Sequence, residues 1–368
     1  MNKEVLDRGS LEKSSVERVQ QEVKYVHGFV KPLLFLLILI QMIEPAFGHV
    51  NWFVNEMGVS NGPILAFRFS EPEVQLAVFI TAVMILIAAL LDRLLTTTFR
   101  FRFVMFMSQS SMLRVSQVLV GISLFSASLK SAFFAPHFSG FEVIPWQALC
   151  LEALVGVLFI AGQWLRLSAI LMLLLYVYLG SLFGAVSFLE YANFIGLALI
   201  YFVHSDDDIE EEAKAVAMWF FRMTVGIALI TLGLSEKLLN PSLAMEFMLK
   251  YEHINFMQMI GLNFPDRLFI MSTGFAEVLF GCVFIFGYVT RINTLALAFF
   301  LIVSNSYFFM IGQNELAMME LFGHLPLFAC AILFIVCGAG ASVRDAYTFV
   351  ANAHVDLVKR LGTSKVRT

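Results

Sequence analysis

Residues 152–166 read EALVGVLFIAGQWLR, and residues 277–291, 125 positions later, read EVLFGCVFIFGYVTR. Seven of the fifteen aligned positions are identical: Glu152 and Glu277, Leu154 and Leu279, Gly156 and Gly281, Phe159 and Phe284, Ile160 and Ile285, Gly162 and Gly287, Arg166 and Arg291. Shared Leu, Phe and Ile say little in apolar sequence. Shared Glu, Gly and Arg say more, because charged residues are rare in spans. The same shift pairs Ser181 with Ser306, Phe183 with Phe308 and Glu190 with Glu315. Upstream the shift changes, and Arg114 pairs with Arg222 and Lys130 with Lys237. The chain therefore reads as a unit carried twice in tandem.

The solvent for this unit follows from composition. Of 368 residues, 59% are hydrophobic and only 14% charged, whereas a soluble globular chain is nearer half apolar and a quarter charged. The apolar residues fall in runs such as Leu33–Ile40 and Leu167–Leu175, which mark repeated bilayer spans. The expected fold is all-α, a polytopic transmembrane bundle of about ten helices: 32–48, 73–92, 114–135, 144–163, 167–184, 189–204, 218–239, 267–288, 292–311 and 319–338. The organisation is a cytoplasmic N-terminal segment 1–31, two helices within 32–113, a first four-helix repeat 114–204, an acidic linker 205–217, a second four-helix repeat 218–338 and a cytoplasmic tail 339–368. Residues 241–261 and 345–361 read as amphipathic surface helices.

Lys and Arg set the orientation. Segment 1–31, loop 93–113, the turns at Arg166 and Arg291 and the tail carry most of them, and in a ten-span chain all face one side. Both termini are thus expected in the cytoplasm. Both repeats begin on that side, so their topology is parallel, with a pseudo-twofold axis along the membrane normal.

Ionisable residues within spans usually pair and often function. Lys130 lies about 8 Å, and Glu152 about 12 Å, from the outer ends of antiparallel neighbouring helices. A Lys130–Glu152 pair is therefore expected, repeated by Lys237 and Glu277 with Glu236 nearby. Such pairs either lock the bundle or line an outward pocket in which Glu accepts a proton or a quinol hydroxyl. Secondary candidates are Glu190 and Glu315 at outer loops, and Glu320 with His324, four residues apart on one helix face. Arg166 and Arg291 read as anchors on the positive side, and Gly156, Gly162, Gly281 and Gly287 as close-packing positions. Ala46 and Gly48 resemble a signal-peptide cleavage site, which would leave His49 as an N-terminal amine and imidazole suited to Cu(II). A retained anchor with Trp52 at the interface is the preferred reading, and no other metal site is expected. Cys150, Cys282, Cys330 and Cys337 form no CxxC pair and read as buried thiols. Nucleotide-loop, hydrolase-elbow and zinc-helix motifs are not found, and no basic patch marks nucleic acid.

Each copy carries Arg at the start of its first helix, Lys near that helix's end, E-x-x-x-G-(x5)-G-x-x-x-R across the second helix and turn, and Glu before the fourth. The second copy closes with CGAGASVRD, where the first has YFVHSDDD. In these features the stretch 114–338 resembles the DoxX/DoxD-like family of four-helix membrane proteins. The resemblance implies that two such units work as a pair. It also implies a membrane subunit of a quinone-linked oxidoreductase acting in thiol, sulfur or oxidative-stress chemistry, with quinone as the cofactor, in a bacterial cytoplasmic membrane. Two other functions fit the residues: a small-solute or ion transporter with its site between the repeats, and a non-catalytic scaffold that holds membrane or extracytoplasmic partners through the outer loop 239–265.

Overall fold

In a computed structural model of the protein, residues 66–95, 108–139, 143–206, 208–251, 254–342 and 344–349 are described. The expected helix 32–48, His49 and most of the surface helix 345–361 lie outside them.

Apolar runs become helices because a bilayer leaves no water to satisfy backbone groups. The described helices are α1 (Pro72–Leu95), α2 (Gln109–Leu129), α3 (Trp146–Ala161), α4 (Leu165–Glu190), α5 (Asn193–Val203), α6 (Glu211–Leu232), α7 (Pro241–Lys250), α8 (Phe256–Met259), α9 (Asp266–Phe286), α10 (Thr290–Met310) and α11 (Asn314–Cys337). A π-helical turn, Gly233–Leu238, continues α6. Seven of these are long and apolar enough to cross a membrane: α1, α2, α4, α6 with its π turn, α9, α10 and α11. α3 and α5 are apolar but shorter. The chain is an integral membrane protein with a polytopic helical bundle.

Two expected elements differ in kind, and α6 begins at Glu211, inside the expected linker 205–217. The helix expected over 114–135 starts earlier and stops at Leu129. Ser131 and Phe134 take left-handed conformations, with φ of 53° and 64°. Between and after them an antiparallel hairpin forms, β1 (Ala132–Phe133) and β2 (Ala135–Ser139). Pro136 has no N–H to extend a helix through this stretch. The hairpin folds inward, and Phe133, Phe134 and Phe138 are buried. The surface helix expected over 241–261 is two pieces, α7 and α8, parted at Tyr251.

Four helices, α2–α5, form one set, and α6 with α9–α11 form another. Their first two helices pack at glycines. A Cβ on Gly121 would lie 2.7 Å from the Gly156 carbonyl oxygen, and one on Gly226 would lie 2.7 Å from the Gly281 carbonyl oxygen. Small residues thus bring the two backbones into contact, where lipid gives little hydrophobic drive. The fourth helix of each set packs on the first helix of the other, α11 on α2 and α5 on α6. Ser123 Oγ donates to the Phe322 carbonyl at 2.9 Å across the first contact. Across the second, Gly196 meets the Phe221 backbone, where a Cβ would lie 2.8 Å from Cα.

One end of the bundle is marked by arginines. Gly162 and Gly287 close α3 and α9 in the left-handed conformation. Arg114 donates to the Phe159 carbonyl at 2.6 Å and to that of Ile160. A Cβ on Gly287 would fall within the Arg222 guanidinium. Arg291 Nε donates to the Ile335 carbonyl at 2.9 Å, and Arg166 binds Ser205 and Asp206 just past α5. All four cations therefore sit at helix C-termini, where the free carbonyls and the macrodipole favour positive charge. Arg291, read from sequence as an anchor, is also a helix cap, and Arg166 is held by side chains just past the end of α5.

At the opposite end, the hairpin end, α1 is tied to α9. Arg267 bridges Glu71 at 2.9 Å and lies over the Phe67 ring, 4.3 Å from its centroid. The Arg68 backbone N–H, and then Arg267, hold the Glu71 carboxyl below the usual range. At the arginine end, Asp92 Oδ1 accepts from the Val289 backbone N–H at 2.7 Å. Most of α1 faces away from the protein, with Leu76, Phe79, Leu86, Leu90 and Leu94 exposed, as expected of a lipid-facing helix.

Candidate functional site

α4 is broken at Gly184, whose backbone (φ 84°, ψ −179°) lies outside the helical region. Only glycine adopts this conformation without strain. The break frees backbone groups, and the Tyr176 hydroxyl donates to the Phe188 carbonyl just beyond it. The last turn of α4 is thereby redirected and carries Glu190 inward, where only 6% of it remains exposed. Glu190, expected at an outer loop, is buried.

Opposite Glu190 lies the π turn of α6. Its wider hydrogen bonding, with Leu239 N–H reaching the Leu234 carbonyl at 2.8 Å, brings three consecutive polar side chains into the protein. Ser235 Oγ donates to Glu190 Oε1 at 2.5 Å. Lys237 Nζ donates to both oxygens of Glu277, each at 2.9 Å, and stands 3.5 Å from Glu236 Oε2. Glu236 is 2% exposed. Glu190 lies within electrostatic reach of Glu236, Lys237 and Glu277, and its Oε2 is buried with no hydrogen-bond partner among the described residues. The structure thus gathers Glu190 of the first helix set with Ser235, Glu236, Lys237 and Glu277 of the second. Three carboxyls share one ammonium. In a low-dielectric surrounding the excess carboxyls are tolerable only as acids or beside a further cation.

The expected Lys130–Glu152 pair is not formed. Glu152 is wholly buried, and its Oε1 accepts the Phe134 backbone N–H at 2.8 Å while Oε2 has no hydrogen-bond partner among the described residues. Lys130 is exposed and has no ion pair among the described residues. Helix phase explains the difference. Gly121 faces α3, and Lys130, nine residues on, is rotated by about 180° from it at 3.6 residues per turn. Gly226 faces α9 in the same way, but Lys237, eleven residues on and within the π turn, returns to that side, its Cβ 3.0 Å from where a Cβ on Gly274 of α9 would lie. The glycine contacts align 121 with 226, a shift of 105. The lysines differ by 107, so they are not at equivalent positions on their helices.

The remaining candidates are dispersed. Glu315, matched to Glu190 in sequence, is exposed in the first turn of α11. Glu320 and His324 are buried and 3.8 Å apart, and Asn305 Nδ2 lies 3.0 Å from His324 Nδ1. No group of three or more metal-ligating side chains occurs among the described residues. Of the cysteines, all free, Cys330 is buried and Cys150 exposed. Sequence reasoning missed Ser235 and the break in α4. The available signal was the pair Gly180 and Gly184 in an apolar run, four residues before Phe188 in the second case, together with the unbroken triplet Ser235-Glu236-Lys237.

Comparisons with family models, with curated proteins and with solved structures find no match to this chain.

Proposed function

We propose that this chain is a membrane carrier in which the cluster of Glu190, Glu236, Lys237 and Glu277 takes up and releases a proton. The observation that carries the reading is the surplus of buried carboxyls beside one lysine, set where one helix is broken and another is π-helical. Interrupted helices near a polar site are the means by which carriers line an ion path. The two helix sets, with their paired glycine contacts and arginine caps, support a tandem four-helix organisation over 114–204 and 218–338 with parallel topology. The arginine end then faces the cytoplasm and the cluster lies nearer the other side. The test is dye-reported proton flux in proteoliposomes under an imposed sodium or potassium gradient. Glu190→Gln should abolish flux and Glu315→Gln should leave it unchanged. Equal flux in both variants, or none in the unaltered protein, would remove the reading.

A second reading, the membrane subunit of a quinone-linked redox system, rests on the DoxX-like pattern and on Glu152. Its unpartnered oxygen is buried in a shell that includes Phe133 and Phe134, where it can accept a quinol hydroxyl. A photoreactive quinone analogue should then label α3 near Glu152, and Glu152→Gln should lose the label. Labelling of lipid-facing positions alone would set this reading aside.

A further inference from the structure

A cavity of about 230 Å³ lies at the hairpin end between α2, the hairpin and α11. At about 30 Å³ per water-sized group it holds roughly eight such groups. Its walls include Ala127, Phe134, Met319 and Phe322, with serine hydroxyls among them and Lys130 the single charge among the described residues. Two of these hydroxyls are already engaged, Ser123 with the Phe322 carbonyl and Ser126 with the Ser123 carbonyl. Lys130 is the C-cap of α2, at the level where the helix leaves the apolar layer, and the phase of α2 turns it from Glu152 into this cavity. It is a cation without an ion-pair partner among the described residues, set over an apolar floor. The neighbouring surface is apolar too: Leu129 is 70% and Met318 38% exposed.

We infer that this cavity is a binding site for an anionic phospholipid of the surrounding leaflet, with the headgroup phosphate on Lys130 Nζ and the upper acyl chain against Phe322, Met319 and Leu129. Charge complementarity selects the anion. A lysine ammonium binds a phosphate as a point charge, and a lysine stem lies along apolar surface while its ammonium reaches the interface. The cavity size fits the phosphate and the few atoms next to it, with the rest of the lipid following the exposed helix faces. This assignment is independent of the carboxyl cluster, which lies on other helices.

Native mass spectrometry of the full chain in detergent, titrated with phosphatidylglycerol, phosphatidylcholine or oleate, tests it. The unaltered protein should keep one phosphatidylglycerol adduct at collision energies that strip phosphatidylcholine. Lys130→Gln should lower that adduct's occupancy about tenfold, Lys130→Arg should retain it, and Lys250→Gln, at another exposed lysine, should leave it unchanged. Equal retention of phosphatidylglycerol and phosphatidylcholine, equal adducts in Lys130→Gln, or preferential uptake of oleate would each overturn the inference. Lys130 is exposed, so its substitution leaves the core intact, and a folded Lys130→Gln protein makes every outcome decisive.

Discussion

Lys237→Met should be among the most damaging single substitutions in this chain, costing about 3–5 kcal/mol of stability, the range found when one partner of a buried ion pair is removed. The lysine side chain is 13% exposed and that of Glu277 15%. Glu277 loses two hydrogen bonds of 2.9 Å, and Glu236, 1% exposed in its side chain, loses its nearest cation. Glu236 in particular is buried too deeply for solvent to take the place of the ammonium. The damage comes from the charges left behind rather than from any large net worth of the bridge, and this separates two outcomes. The double variant Lys237→Met/Glu277→Gln should recover part of the loss, because one stranded carboxylate is gone, yet fall short of the unaltered protein because Glu236 and Glu190 remain. Melting midpoints in detergent, followed by intrinsic fluorescence, measure both. An unchanged midpoint in Lys237→Met would show that water reaches the cluster freely. A double variant no better than the single would show that Glu277 is not the residue Lys237 compensates.

The same residues show where sequence reading stops. That Lys237 meets Glu277 was legible, because charges at similar depth on antiparallel neighbours must find each other in lipid. That Lys130 does not meet Glu152 was not. The two lysines look equivalent in a gapped alignment, and only the contacts of Gly121 and Gly226 reveal a two-residue difference in phase. A difference of two residues is more than half a turn, enough to move a side chain from one side of a helix to the other. The bundle itself was legible from apolar runs, since hydrophobicity over twenty residues survives errors at either end. The hairpin at 132–139 was not, because its Ala and Phe residues are as apolar as the helix before it. The break at Gly184 was hidden for a related reason. Glycine in a membrane helix more often allows close packing than a change of direction, and sequence does not separate the two. At Gly184 a Cβ would meet nothing within 4 Å, so it is the backbone angle and not the space that requires glycine there.

At Gly281 the requirement is the reverse, and this makes Gly281→Ala the second large effect. The helix is regular here, but an added Cβ would lie 2.6 Å from the Gly226 carbonyl oxygen and 2.6 Å from Ile230 Cγ1. A side chain can turn aside, whereas a carbonyl in the middle of α6 moves only with the helix. The seam between α6 and α9 must then open. Overpacking of this kind costs about 1–3 kcal/mol, and the same seam holds Gly233 against Gly274 and sets the spacing of Lys237 and Glu277. Widening it loosens the buried ion pair as well, so the total should approach the upper end of that range or pass it. Gly226→Ala should behave alike, since its Cβ would lie 2.7 Å from the Gly281 carbonyl oxygen. The two substitutions push the same helices apart, so the double variant should cost little more than either single one, a coupling expected for residues in contact. Melting midpoints of the two singles and the double form the cycle. Additive losses would mean that each glycine is needed for its own local reason, and neutral singles would mean that α6 and α9 are not held at backbone contact. Either result would also undercut the phase argument that turns Lys237 toward Glu277, because that argument starts from which face of α6 carries Gly226.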